Sequence, residues 1–297
     1  MVDMDMKIKT LGIVLNQEKR SAATVLGRLE VLLRSLKIEA IVPASGADAL
    51  PFAKPVPSQD LRSQVDAVLA LGGDGTILHT AHLLNGAAVP ILGVNLGSLG
   101  FLTSFTADQL EEALHGLVAD QLPRVNRRVL ACEKWRDDTL QSSHRALNDV
   151  VAGWGQSTRI VNIRVRINGE EVTTYRCDGL ILSTPTGSTA HSLSAGGPIV
   201  HPDTPALLLN VICPHTLSAR PMMIPDQCEL AIEICETSKK LLLSVDGREE
   251  GSLEEGDRLA VRLSPQGVTL LQHPDHSYFG VLRHKLHWSG STHTLRT

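Results

Sequence analysis

The chain has 297 residues, enough to bury more than one core, and two domains are expected rather than one. It is 42% hydrophobic and 20% charged, as ordinary globular proteins are, and 28 basic against 32 acidic residues leave a formal charge of −4. The absence of any block of like charge argues against a nucleic-acid binder, and no apolar run approaches the ~18 residues of a membrane span. Met1 to Thr10 lacks the apolar stretch of a signal peptide. The five cysteines are odd in number and show no C-x-x-C spacing, so free thiols in the reducing cytoplasm are expected.

In chain order, Lys7–Leu15 reads as a strand and Ser21–Leu36 as a helix with apolar residues at helical spacing. Ile38–Val42 reads as a short strand, followed by a loop in which Pro43, Pro51, Pro55 and Pro57 block regular structure. Ala67–Leu71 and Val89–Val94 have the continuous apolar character of buried strands, and Thr76–Leu84 and Asp108–Val118 read as helices. This alternation predicts an α/β domain built on a parallel, Rossmann-like sheet covered on both faces.

After about Pro123 the pattern changes. Arg159, Val161, Ile163, Val165 and Ile167 alternate with Asn162, Arg164 and Arg166, and Asn168-Gly169 supplies a hairpin turn into Glu171–Tyr175. Glu229–Glu236, Lys240–Val245, Arg258–Leu263 and Val268–Gln272 also read as strands. The expected organisation is an α/β domain over residues 1–125, completed by 276–297, where Tyr278–Trp288 reads as a helix, and a β-rich domain over 126–275.

Three segments carry chemistry. In Leu71-Gly72-Gly73-Asp74-Gly75-Thr76, between a strand and a helix, glycines allow a sharp turn and close approach of backbone N–H groups at a positive helix end, which suits phosphate. Gly72, Gly73, Gly75 and Thr76 are therefore candidate phosphate contacts. A helix-capping Asp is the plain alternative, since Asp is a favoured cap. A carboxylate beside phosphates otherwise repels them unless it holds a metal or accepts a proton, and both are roles in phosphoryl transfer. Gly93-Val94-Asn95-Leu96-Gly97-Ser98-Leu99-Gly100 follows at the next strand end, where ligands of open parallel sheets bind. Taken alone, its glycines read as turn-formers. In Asp178–Ser192 a buried strand runs into Ser183-Thr184-Pro185-Thr186-Gly187-Ser188-Thr189, whose hydroxyls and N–H groups suit wrapping a polar ligand.

Walker A, dinucleotide G-x-G-x-x-G, H-E-x-x-H and G-x-S-x-G patterns are absent. His79 with His82, and His284 with His287, lack the clustered carboxylates or cysteines of a zinc site, and no metal-ligating set is assigned.

Together these segments, with Asn148-Asp149, Ala195-Gly196-Gly197-Pro198 and Cys213–Pro221, resemble the NAD kinase family of bacterial type from about Asp66 onward. The Gly-Gly-Asp-Gly-Thr motif alone is shared with diacylglycerol and sphingosine kinases. The resemblance implies transfer of the terminal phosphoryl group of ATP to the adenosine-ribose 2′-hydroxyl of NAD, giving NADP, with Asp74 as proton acceptor. It implies NAD contacts from Asp74, Gly75, Asn148, Asp149, Asp178, Thr189, Ala190, His191, Ser192, Leu193 and Ser194, with Arg159, Arg176 and Arg248 carried at variable positions. His191 stands where the family has Tyr, and Arg248 where Gln is common. Mg²⁺ held mainly by substrate phosphates, and a homodimer or homotetramer completing the NAD site across subunits, are also implied. A lipid kinase, a non-catalytic NADP sensor and an NAD-dependent dehydrogenase are the competing readings. Against them stand the lack of an amphipathic membrane helix, the presence of Asp74 and the missing dinucleotide fingerprint, respectively.

Overall fold

The structure, a computed structural model, describes residues 8–16, 22–153, 160–237 and 240–288. Lys7 and Ser21, the expected first residues of the opening strand and helix, lie outside the described residues. The chain divides into two compact units, 1–126 with 268–297, and 127–267.

The first unit contains β1 (Thr10–Leu15), α1 (Ala22–Leu36), β2 (Glu39–Pro43), β3 (Lys54–Val56), α2 (Leu61–Gln64), β4 (Ala67–Gly72), α3 (Asp74–Leu84), β5 (Ile91–Asn95), β6 (Phe105–Thr106), α4 (Leu110–Val118) and β7 (Arg124–Arg127). Its sheet runs β3-β2-β1-β4-β5, all parallel. Every residue of β4 and β5 is buried, which is why both are apolar without alternation. α1 lays Val25, Leu29 and Leu33, spaced at i+4, on a core with Leu11, Ile13, Leu69, Leu92 and Val94.

The proline-rich stretch is more regular than expected: short 3₁₀ helices at Ala44–Ala49 and Ser58–Asp60 flank β3, and α2 follows. Pro55 sits inside β3 because that strand is the sheet edge, where a missing N–H leaves no ladder bond unmade.

The second unit contains β8 (Leu130–Arg136), β9 (Thr139–Ala146), β10 (Asp149–Gly153), β11 (Val161–Ile167), β12 (Glu170–Cys177), β13 (Gly179–Ser183), α5 (His191–Ser194), β14 (Ala206–Ile212), β15 (Met222–Pro225), β16 (Leu230–Thr237), β17 (Leu241–Val245), β18 (Arg248–Leu253) and β19 (Arg258–Leu263). They form two six-stranded sheets, β15-β14-β13-β10-β17-β18 and β12-β11-β16-β19-β8-β9. One core joins them, with Val150, Leu180 and Leu209 from the first and Ile163, Ile232 and Val261 from the second. The alternation along β11 is explained by its two faces. Val161, Ile163 and Val165 are buried, while Arg164 and Arg166 bond Glu233 on β16 at 3.1 and 2.9 Å. Asn168 and Gly169 take φ of +50° and +83°, as a two-residue hairpin requires.

The chain then returns to the first unit through β20 (Val268–Leu271) and α6 (Tyr278–Lys285). The strand expected near Val268 is present but lies parallel to β5, with Leu270 opposite Ile91, and not among the antiparallel strands before it. Short apolar strands carry no local mark of which sheet they join. α6 starts where Ser277 Oγ accepts the N–H of Gly280 and ends before Trp288.

Candidate active site

Gly72, the last residue of β4, lies opposite Asn95, the last of β5, so two strand ends present their loops side by side. A Cβ on Gly72 would lie 2.0 Å from Thr76 Oγ1, so the first turn of α3 closes over a residue without a side chain. Asp74 does not cap that helix. Gly73 holds the cap position, and the Asp74 carboxylate reaches to the segment after β5. There Oδ2 accepts the N–H of Phe101 at 2.8 Å and Oδ1 that of Leu102 at 3.0 Å. A carboxylate has about four lone-pair sites, so two N–H donors orient the group and leave it capacity to accept a proton.

This contact also revises the reading of the second glycine segment. Gly100 is buried, and a Cβ on it would stand 2.0 Å from Asp74 Oδ1. Its glycine is there for close approach to a carboxylate and not merely for a turn. Asn95 and Thr103 tie the same loop. Asn95 Oδ1 accepts the N–H of Gly97, and Thr103 Oγ1 accepts both Asn95 Nδ2 and the N–H of Gly100.

In the second unit, Asn148 and Asp149 sit where β10 begins. Asp246, unassigned in the sequence reading, gathers their backbone: its carboxylate accepts the N–H groups of Leu147, Asn148 and Asp149 at 2.7–3.1 Å. Asp246-Gly247, with φ of +49° and +77°, is the β17–β18 hairpin turn, which brings this carboxylate back to the start of β10. Burial and the neighbouring Asp246 charge push the Asp149 carboxyl up to about 7, against the backbone N–H of His191, which holds it down.

The hydroxyl-rich loop is built differently from the expectation. Ser183 and Thr184 donate to the carbonyls of Asn148 and Leu147, Ser188 to those of Pro185 and Val200, and Thr189 to that of Thr186. Most of these hydroxyls hold the loop against its own backbone because they are buried and need internal acceptors. Thr186 is the exception: its Oγ1 is buried without a hydrogen-bond partner. Gly187 is pressed against Asn148, where a Cβ would meet the carbonyl oxygen at 2.2 Å. Ser192 is fully buried against the Asn210 amide, whereas the ring-bearing His191 is exposed and Thr189, Ala190 and Leu193 are half-buried. Ser194 ends α5 in the open.

Asp178 is the single residue between β12 and β13, the point where the chain passes from one sheet to the other, and its N–H donates to Ile212. Arg176 is exposed on β12 and lines a cavity of about 490 Å³ with His215, Thr216 and Arg220. Arg248 is exposed at the start of β18, 3.7 Å from Glu250. Arg159 lies outside the described residues. Among the described residues no group of three or more His, Cys, Asp or Glu side chains could hold a metal ion, and no helix is long and apolar enough to cross a membrane. All five cysteines are free thiols, and burial pushes those of Cys132 and Cys177 up to about 12.

The chain is similar to known proteins in both of its units. A family model described as the ATP-NAD kinase N-terminal domain matches residues 11–122, and one described as the ATP-NAD kinase C-terminal domain matches 147–273. An NAD kinase of Geobacter metallireducens is 42% identical over 264 residues, covering 89% of this chain and 93% of the relative. An NAD kinase of Heliobacterium modesticaldum is 38% identical over 277 residues, covering 93% and 98%. A yeast NADH kinase complexed with NADH superposes with a TM-score of 0.90 at 28% identity, covering 96% of this chain and 89% of the other. With both halves of the fold matched and curated relatives near 40% identity over most of their length, the chain belongs to the NAD kinase family.

Proposed function

We propose that the chain transfers the terminal phosphoryl group of ATP to the adenosine-ribose 2′-hydroxyl of NAD, and that Asp74 accepts the proton of that hydroxyl. The observation that carries this reading is the carriage of Asp74. A carboxylate at the first position of a helix after a glycine turn is freed from capping and aimed by the N–H groups of Phe101 and Leu102. In the step, the 2′-oxygen bonds to the γ-phosphorus as its proton passes to Asp74. The bond from that phosphorus to the β–γ bridging oxygen breaks, and ADP leaves. Gly73 and Gly75 bring backbone N–H groups, and α3 its positive end, to the triphosphate, while Gly72 and Thr76 are buried behind them and the N–H of Thr76 is bonded to the Gly73 carbonyl at 2.9 Å.

Asn148, Asp149, Asp178 and Thr189–Ser194 are assigned to the NAD pocket, with Arg176 and Arg248 as further contacts. The buried, unpartnered Thr186 hydroxyl favours a polar ligand at that loop. Mg²⁺ carried mainly by triphosphate oxygens and water belongs to the same reading, because that ion keeps several waters and binds chiefly through substrate phosphates. When bound, the ion neutralises charge on the phosphates. Assembly as a homodimer or homotetramer, a cytoplasmic location, and the absence of nucleic-acid or membrane partners belong to the same reading. Free thiols are consistent with that location.

The test is incubation with ATP, Mg²⁺ and NAD, reading NADP with an NADP-specific dehydrogenase, beside a parallel reaction with diacylglycerol. NADP formed only when ATP and NAD are both present is the expected result. Phosphorylated lipid without NADP overturns the assignment.

A further inference from the structure

We propose that Asn95 and Thr103 are positioning residues for the phosphoryl transfer, fixing the backbone of Gly100–Leu102 so that its N–H groups set the reach of Asp74. The inference rests on the reading of Asp74 as proton acceptor and adds what holds that group in place.

Thr103 is fully buried and Asn95 is 4% exposed, so their hydrogen bonds have no water to replace them. The hydroxyl oxygen of Thr103 receives two donors, Asn95 Nδ2 at 3.0 Å and the N–H of Gly100 at 3.1 Å. Asn95 in turn holds the N–H of Gly97 at 2.7 Å. The loop 97–100 is thus fastened at both ends to one buried pair, and the next two N–H groups, of Phe101 and Leu102, are the donors that grip Asp74. Gly100 lies so near the carboxylate that a slide of the loop must move it, since a Cβ there would already be 2.0 Å from Oδ1. By contrast, the bond from Lys285 Nζ to Ser98 Oγ on the same loop is exposed and competes with water, so it adds little.

A proton acceptor works only when its oxygen is within hydrogen-bond reach of the hydroxyl, and a misplacement of ~1 Å costs about 10²-fold in rate. Thr103→Val keeps the shape and removes the oxygen; Thr103→Ser keeps the oxygen. Thr103→Val is expected to lower kcat by about 10- to 100-fold with KM for NAD within about threefold, and Thr103→Ser to restore kcat to within about threefold of the parent. In an Asp74→Asn background, Thr103→Val should add no more than about a twofold loss, because the group it positions is gone. A parent-like kcat in Thr103→Val overturns the positioning role and leaves Asp74 as acceptor untouched. The same loss with and without Asp74 also overturns it. A parent-like rate in Asp74→Asn overturns the acceptor reading and this inference with it. Should Thr103→Val fail to fold, Gly100→Ala applies the same displacement sterically with the Asn95–Thr103 tie intact. Its kcat, referred to the folded fraction, should fall at least about tenfold, and a parent-like value overturns the inference.

Discussion

Asp149 and Asp246 are two carboxylates at one turn with unequal support: Asp246 accepts three backbone N–H groups, whereas Asp149 is buried and faces the Asp246 charge and the backbone N–H of His191. Burial raises both, but the three donors favour charge on Asp246, so the shared proton resides on Asp149. The native carboxyl of Asp149, at about 7, lies above its unfolded value, so the native state binds the extra proton. Its contribution to stability is therefore complete below about pH 4 and is lost as pH rises toward about 7, then stays level. Asp149→Asn should remove that slope and leave the protein relatively more stable at pH 8 than at pH 5. Urea unfolding of both proteins from pH 5 to 8 checks this; parallel profiles would show that Asp149 does not titrate in this window.

Asp74→Asn separates chemistry from support. The amide can accept one of the two N–H groups of Phe101 and Leu102, but its own NH₂ then confronts the other, a mismatch worth about 1–3 kcal/mol of stability. The substitution should keep the fold while lowering kcat by about 10²–10⁴-fold, because an amide cannot take the proton. NAD affinity should change far less. Single-turnover NADP formation and NAD binding, measured well below the melting transition, give the two quantities; a rate within a few-fold of the parent rules out Asp74 as acceptor.

Two glycines should respond to alanine in opposite ways. At Gly187 the new methyl would press on the Asn148 carbonyl at 2.2 Å, backbone that cannot step aside, so the variant should lose several degrees of melting temperature and NAD binding together. At Gly75 nothing lies within 4 Å, and alanine suits a helix better by about 1 kcal/mol. Gly75→Ala should therefore melt no lower than the parent and yet lose kcat/KM if substrate approaches that backbone. A Gly75→Ala enzyme with unaltered kinetics removes Gly75 from the site.

His191→Tyr should be mild. The bond His191 makes to Asp149 uses its backbone N–H, and the ring is exposed at the start of α5. Tyrosine keeps the N–H and offers a ring and a hydroxyl. Stability should stay within about 0.5 kcal/mol and kcat within a few-fold. A loss of several orders of magnitude in kcat with KM intact would instead assign the imidazole a chemical role.

Much of the architecture was legible in the residues because local pattern reports burial. Continuous apolar runs at Ala67–Leu71 and Val89–Val94 marked strands covered on both faces, and the alternation of Val161, Ile163 and Val165 marked a strand covered on one. Several strands escaped notice. Leu130–Arg136 carries Glu, Lys and Arg on half-buried positions and Thr139–Ala146 is largely exposed, so no hydrophobic period stands out in either. The stretch from Pro43 to Pro57 read as irregular because prolines disfavour ladders, yet an edge strand accommodates Pro55.

By itself the sequence determined the two-part organisation, the turn that carries Asp74 and, through the family it belongs to, the chemistry expected there. Tertiary structure decided what each polar group does. Asp74 meets Phe101 and Leu102 some 27 residues along the chain, Asp246 meets Leu147–Asp149 from about a hundred residues away, and β20 enters the parallel sheet after an entire β unit. Helical and strand periods arise between neighbours and can be read from them. A hydrogen bond between distant residues depends on where two chain ends arrive in space, and no local period records that.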